Sequence, residues 1–154
     1  MSRGNLIYRF GNCRRSGGSC RIMSQLYVAL IGAHWDAEVM PKARSDAITA
    51  LLQAVISQCA EAGVTLEFVG DPTVSMNDIK AAFSRCQWDG VVVGFGVRSP
   101  VEFTTFFEEV VNAARENAPQ AKFMFNTKPT DTLESIRRWF PQVPFVEPPD
   151  VRIP

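Results

Sequence analysis

The stretch QLYVALIG, residues 25–32, is an almost unbroken apolar run that ends in a glycine. Such a run is typical of a parallel β-strand, because helices cover both faces of a parallel sheet and bury both sides of each strand. Comparable runs occur at residues 64–69 (VTLEFV), 91–95 (VVVGF) and 121–125 (AKFMF). The sequence therefore predicts a parallel sheet of four strands with a largely apolar interior.

Helical patterns separate the four predicted strands. Apolar residues recur at helical spacing over residues 48–59, between strands one and two. The pattern SMND at 75–78 has the form of a capping box and predicts the start of the second helix. The pattern SPVE at 99–102 combines a serine cap, a proline and a glutamate, and it predicts the third. DTLE at 131–134 predicts a fourth helix, with Trp139 on its buried stripe.

The alternation of strands and helices predicts the fold class. Strands joined by helical crossovers are parallel, and the crossovers are right-handed almost without exception. We predict an open, doubly wound α/β sheet in three α/β/α layers, with the flavodoxin-like strand order 2-1-3-4. A dinucleotide-binding, Rossmann-like order is the alternative. A short fifth edge strand at 143–146 would extend the sheet, although prolines flank it on both sides.

The distribution of charge divides the chain into segments. The 154 residues suffice for a single domain, and the formal net charge is zero. Residues 1–22 hold five arginines and no acid, so they carry +5 and the remainder carries −5. We interpret residues 1–22 as a basic, disordered leader or transit-like extension, 23–141 as the α/β domain and 142–154 as a proline-rich tail. The expected location is cytoplasmic, or the mitochondrial matrix if the leader is a transit peptide.

Composition and motifs argue against several classes of protein. No apolar run approaches the ~20 residues of a membrane helix, and the acidic body argues against nucleic-acid binding. The sequence contains no G-x-x-x-x-G-K-[ST] phosphate loop, no G-x-S-x-G motif and no metal-ligand spacing. No cofactor is predicted. FMN in particular is disfavoured, because the first loop lacks the Ser/Thr- and Gly-rich character of a flavodoxin phosphate loop.

Two of the four cysteines, Cys59 and Cys86, fall on the predicted apolar faces of helices. Free cysteine packs as a small apolar residue, and the cysteine spacing indicates neither a zinc site nor a disulfide framework. We therefore predict that both are buried thiols of a protein in a reducing compartment.

The only histidine of the chain follows the first predicted strand. In open parallel sheets, ligands bind at the carboxyl ends of the strands, beside the point where the strand order reverses. For order 2-1-3-4 this switch point lies between strands one and three. His34, oriented by Asp36, is therefore the candidate catalytic acid or base. An ordinary polar loop is the alternative interpretation.

The segment GFGVRSP, residues 94–100, follows strand three at the same edge of the sheet. Gly94 and Gly96 would let the backbone approach a ligand closely. Ser99 would cap a helix whose free N–H groups and dipole favour an anion. Arg98 would add a fork of donors suited to a carboxylate or phosphate. A tight strand-to-helix turn with a solvated arginine is the alternative.

Asn126, Thr127 and Lys128 follow strand four and offer donors and a positive charge. With Arg98 they could form a two-pronged anion clamp, although a plain β-turn would use the same residues.

The first functional hypothesis is an enzyme or binding domain for an anionic or carbonyl-bearing small molecule, its reaction unknown. The second is a non-catalytic interaction module, a homodimer or accessory protein that uses helix face 103–111 or the proline-rich tail.

Overall fold

The computed structural model describes residues 25–33 and 40–153. The strands are β1 (Leu26–Ile31), β2 (Val64–Gly70), β3 (Gly90–Val93) and β4 (Lys122–Phe125). The α-helices are α1 (Lys42–Glu61), α2 (Met76–Arg85), α3 (Phe95–Arg98), α4 (Thr104–Asn117) and α5 (Thr132–Arg137). Two 3-10 turns, Val101–Phe103 and Pro129–Asp131, precede α4 and α5. No helix in this part of the chain is long and apolar enough to cross a membrane.

The four strands form one parallel sheet in the order β2-β1-β3-β4. This confirms the flavodoxin-like order and the switch point between β1 and β3. The suggested fifth strand does not form within the described residues. Val143 instead donates its N–H to the carbonyl of Phe140 in a turn, at 3.0 Å, and Pro144 has no N–H to offer to a sheet.

Successive strand residues point to opposite faces of the sheet and supply two separate apolar cores. Val28 and Leu30 of β1 face a core built with α1 and α5, whereas Ala29 and Ile31 face one built with α2 and α4. The first core also contains Leu51, Val55, Cys59, Leu133 and Ile136. The second also contains Ile79, Phe83, Trp88, Val110, Ala113 and Ala114. Helices on both faces of one sheet confirm the three-layer α/β/α arrangement.

The helix starts agree with the sequence patterns at α2 and at α5, which begins at Thr132 directly after Asp131, and differ at α4. Ser75 caps α2, and its Oγ accepts a hydrogen bond from the Asp78 N–H at 3.2 Å, as predicted. The predicted helix start at Ser99 is wrong. Ser99 instead ends the short helix α3, and α4 begins only at Thr104. Trp139 was predicted on a buried stripe but lies beyond α5 with 53% of its surface exposed.

The proline-rich segment after α5 lies against α1 and α5. Val143 is buried, and its carbonyl accepts a hydrogen bond from Arg137 Nε at 3.1 Å. The carbonyl of Val146 accepts one from Gln58 Nε2 of α1 at 2.9 Å. Val151, further along, packs against the α1/α5 core. The segment is thus held by side-chain donors and apolar contacts, although it has neither helix nor strand.

The two cysteines predicted as buried thiols differ in environment. Cys59 on α1 is fully buried, and this burial raises the pKa of its thiol to about 12. Cys86, at the end of α2, is only partly buried and is disulfide-bonded. The prediction is therefore confirmed for Cys59 and wrong for Cys86.

The buried Cys59 thiol should make the domain less stable in alkali. Its folded-state pKa, about 12, is raised above that of the unfolded chain, so its stabilising contribution is complete below the ordinary thiol pKa and is lost as the pH rises. Between the ordinary thiol pKa and about 12, the free energy of unfolding should fall by about 1.4 kcal/mol per pH unit because of this group. Urea unfolding of Cys59→Ala should show a correspondingly shallower alkaline slope. Equal slopes in both proteins would contradict the assignment.

Candidate functional site

A cavity of about 450 Å³ lies at the carboxyl edge of the sheet. The ends of β1, β3 and β4 meet there, at the switch point where the sequence predicted a ligand. Its lining includes Gly32, Gly94, Gly96, Asn126, Thr127 and Lys128. We call it the carboxyl-edge cavity. Five of the seven residues predicted to bind a ligand line it, and these five come from the segments after β3 and β4.

The walls of the carboxyl-edge cavity are mainly apolar. Helix α1 contributes one wall, and Phe68 of β2 contributes to another. The α1 side chains in this wall are Ile48, Leu51, Leu52 and Val55. Ile153, in the proline-rich segment, completes part of the lining. A pocket of this size with apolar walls and few polar groups is typical of small-molecule sites.

Two glycines are required because the segments around this cavity approach one another closely. A Cβ atom at Gly96 would lie 2.8 Å from the Cβ of Ala33, which follows β1. A Cβ atom at Gly32 would lie 2.6 Å from Cε2 of Phe68. Glycine at position 96 lets the segments after β1 and β3 come together beside the cavity, and glycine at position 32 leaves room for the Phe68 ring of β2. The packing of protein segments therefore explains Gly96 without reference to a ligand.

The guanidinium of Arg98 bonds to main-chain carbonyls beside the sheet. Its Nε donates to Val93 O at 3.1 Å, and one terminal nitrogen donates to Asn126 O at 2.5 Å. The guanidinium also lies over the rings of Phe125, at 4.8 Å, and Phe95, at 5.6 Å. Burial lowers the pKa of Arg98, and the nearby carboxylate of Asp131 opposes that shift. Arg98 does not line the carboxyl-edge cavity, and its fork links the segments that follow β3 and β4.

Asn126 is a buried polar side chain at the end of β4, with 5% of its surface exposed. Its Oδ1 accepts a hydrogen bond from the Phe95 N–H at 3.0 Å, and its Nδ2 donates to Thr132 Oγ1 at 2.9 Å. The side chain thereby fixes the turn after β3 against the start of α5. Asn126 thus lines the cavity and also links two of the segments that surround it.

Thr127 and Lys128 form the polar rim of the cavity, and Asp131 organises them. The Asp131 carboxylate accepts hydrogen bonds from both the N–H and the hydroxyl of Thr127. It also accepts one from the N–H of Lys128 at 3.3 Å. The Lys128 ammonium is exposed, and it forms no salt bridge with the described carboxylates. Among the described residues that line the cavity, Lys128 is the one with a cationic side chain.

Ser99 has a different placement from the one that the sequence predicted. Ser99 is exposed and ends α3 instead of starting a long helix, so the helix N-terminus expected to attract an anion is not formed at this residue. His34 and Asp36 lie outside the described residues, and their proposed proton transfer stays a prediction.

Sequence reasoning missed the residues that give the cavity its apolar character. The side chains of Ile48 and Leu52 were assigned to the α1 core stripe, which is where helical periodicity places them. Ile153 was included in the proline-rich tail, for which the sequence suggested a role in protein interaction and none in ligand binding. A detectable signal existed in the sequence, because the α1 stripe begins just after the switch-point loop and must therefore pass beside any ligand there.

A shallow apolar groove occurs on another side of the domain, along the edge strand β4. Phe107 and Val111 of α4 and Phe123 and Phe125 of β4 line it, and Phe125 is 39% exposed. The rings of Phe107 and Phe125 meet edge to face, with centroids 6.4 Å apart. This groove includes part of the helix face that the second functional hypothesis names, and that hypothesis stays a prediction.

Comparisons with known proteins place this chain in no family. No protein-family model matches it, and no curated protein matches it. Among solved structures, it is similar to a metal-soaked flavodiiron core from Synechocystis sp. PCC6803, at 21% sequence identity and a TM-score of 0.38. The match covers 80% of this chain and 28% of that one, so this chain spans less than a third of the flavodiiron chain. A likeness this distant identifies neither a ligand nor an activity for the chain.

Proposed function

We propose that this chain is a small-molecule-binding domain whose ligand, anionic or carbonyl-bearing, occupies the carboxyl-edge cavity. One observation carries the proposal: the cavity of about 450 Å³ lies at the switch point of the parallel sheet and is lined from three strand ends. Ligands of open α/β sheets bind at this position because the loops diverge there and leave a crevice. The size also falls within the usual range of small-molecule pockets.

The distribution of polar groups supports a ligand with one polar end. Lys128 and Thr127 lie together on one part of the lining, whereas α1 and Phe68 supply apolar surface. The Lys128 ammonium can neutralise an anion or donate a hydrogen bond to a carbonyl. Burial of the apolar part of the ligand supplies the favourable free energy, and the cation sets its orientation.

An enzymatic form of the proposal adds a proton transfer to this binding site. His34 directly follows the segment that ends at Ala33, and Ala33 lines the cavity. A histidine titrates near neutral pH and can give or take a proton, and Asp36 would orient its ring. In this form the ligand is a substrate that gains or loses a proton, and the binding site remains the same.

Filling the cavity should abolish binding without unfolding the protein. Ile48→Trp places a larger side chain in the α1 wall, so the affinity for 8-anilinonaphthalene-1-sulfonate, an anionic aromatic probe whose fluorescence rises on binding, should fall at least about ten-fold. Ile56→Trp is the matched control, because Ile56 lies two turns further along α1, packs against the same core and does not line this cavity. The control should bind the probe as the wild type does.

The circular dichroism and melting temperature of both variants show whether a loss of probe binding is due to unfolding. Probe binding that is equal in Ile48→Trp, Ile56→Trp and the wild type would show that the probe occupies another surface. That result would overturn the proposal for the carboxyl-edge cavity.

A further inference from the structure

We infer that the ligand of the carboxyl-edge cavity is an amphipathic monoanion, such as an aliphatic or aromatic carboxylate, whose apolar body lies against α1 and whose charge meets Lys128. The inference rests on the proposed function and narrows it to one chemical class. It excludes two broad alternatives that the same fold accommodates, namely strongly polar metabolites such as sugars and ligands that carry several phosphates.

The first argument is the shape of the apolar lining. Ile48 and Leu52 lie one turn apart on the same face of α1, so together they form a continuous apolar strip along the cavity. Phe68 and Ile153 add apolar surface from two other elements. A ligand covered with hydroxyl groups would lose its hydration against these walls without gaining hydrogen bonds in return, which is unfavourable. The walls therefore favour an extended hydrocarbon or aromatic body.

The second argument is that most polar groups beside the cavity already have partners inside the protein. Asn126 uses its oxygen and its nitrogen in the hydrogen bonds to Phe95 and Thr132. The hydroxyl of Thr132 also donates to Pro129 O at 2.7 Å, and the hydroxyl of Thr127 is held by Asp131. Few side-chain donors or acceptors of the described lining are thus left to recognise additional polar groups on a ligand.

The third argument concerns the main-chain donors of the turn after β3, which would otherwise cradle a phosphate. The Gly94 N–H donates to Ile31 O at 2.8 Å, and the Phe95 N–H is taken by Asn126. The N–H groups of Val97 and Arg98 both bond to Gly94 O. Because these donors are engaged within the protein, this turn lacks the row of free N–H groups that a phosphate-binding loop presents.

The fourth argument is the balance of charge on the described cavity lining. Lys128 carries the positive charge there, and its ammonium makes no salt bridge with a described carboxylate. The guanidinium of Arg98 is bound to two main-chain carbonyls and lies outside the lining. Within the described lining, one available cation matches a single negative charge on the ligand.

The test uses the full chain and three probes: octanoate, octan-1-ol and inorganic phosphate. Octanoate and octan-1-ol have the same number of carbon atoms and differ in the charge of the head group. Calorimetric titration at low salt should give an octanoate affinity at least about ten-fold higher than that of octan-1-ol, and no measurable binding of phosphate. Lys128→Gln should reduce the octanoate affinity to that of the alcohol and leave the alcohol unchanged. Lys128→Arg should retain the preference for octanoate.

Lys80→Gln is the matched control, because Lys80 is an exposed residue of α2 that does not line the cavity and the change in net charge is the same. Equal affinities for octanoate and octan-1-ol, both abolished by Ile48→Trp, would overturn the anionic class and leave the proposed binding site intact. Binding of phosphate in place of octanoate would overturn the amphipathic class. If octanoate, octan-1-ol and phosphate all fail to bind, and the fluorescence of 8-anilinonaphthalene-1-sulfonate is unchanged by Ile48→Trp, this inference and the proposed function are both overturned.

Discussion

Arg98→Ala should lower the free energy of unfolding by about 3 kcal/mol and the melting temperature by about 10 °C. The substitution removes the shared donor of two carbonyls, Val93 O and Asn126 O, which lie at 3.1 and 2.5 Å from the guanidinium. Hydrogen bonds to a charged group contribute about 1.5–3 kcal/mol each, and water replaces part of that loss at this half-buried position. Thermal and urea unfolding measure the effect.

Two further variants separate this structural role from the anion clamp that the sequence predicted. Arg98→Lys should recover little stability, because a single ammonium cannot reproduce the fork between both carbonyls. Arg115→Ala removes an exposed arginine from α4 and should change stability by no more than about 0.5 kcal/mol. If Arg98→Ala instead leaves stability unchanged and abolishes octanoate binding, then Arg98 contacts the ligand and the clamp hypothesis is correct.

Trp88→Ala should lower the free energy of unfolding by about 3–5 kcal/mol, the largest effect expected in this chain. Trp88 lies just before β3, has no exposed surface and packs in the core between the sheet, α2 and α4. Its indole N–H donates to Ala82 O in α2 at 3.0 Å. The substitution would leave a large cavity that the surrounding helices and strands cannot fill by relaxation.

Trp139→Ala provides the matched comparison for Trp88→Ala. Trp139 is 53% exposed beyond α5, so the same chemical change should alter stability by no more than about 1 kcal/mol. Urea unfolding of both variants gives the difference directly. A loss at Trp139 as large as that at Trp88 would show that the segment after α5 is buried against another surface in solution. A small loss at Trp88 would contradict its position in the core.

The order of the sheet was predictable because it depends on apolar runs and on general rules for crossovers. The runs at residues 25–32 and 91–95 contain most of β1 and β3, the two central strands, which are buried almost throughout, whereas Phe95 begins α3 and is 49% exposed. Local patterns failed where two elements compete for the same residues. The SPVE pattern at 99–102 satisfies the rules for a helix start, yet the preceding turn forms the short helix α3 and uses Ser99 as its end.

The general position of the site was also predictable from the sequence, whereas the roles of its side chains were not. Strand order and chain direction are enough to bring Gly94, Gly96 and Asn126 to one edge of the sheet. The hydrogen bonds of Arg98 to Val93 O and Asn126 O depend on how two loops meet in space. No local sequence pattern predicts this contact between loops. An arginine next to glycines is equally consistent with an anion-binding site and with a structural role. The same reasoning explains why Ile153 was missed, because it reaches the cavity from the end of an irregular segment.

The separation of the two cores by the sheet has a consequence for how this domain can change. The α2/α4 core is insulated from the carboxyl-edge cavity, whose apolar lining belongs to the side of α1. Substitutions more than about 7–10 Å apart with no shared contacts usually have additive effects on stability. Stabilising changes between α2 and α4 should therefore offset the losses caused by substitutions on the cavity side. The α2/α4 layer can thus compensate for destabilising substitutions that change the shape of the cavity on the α1 side.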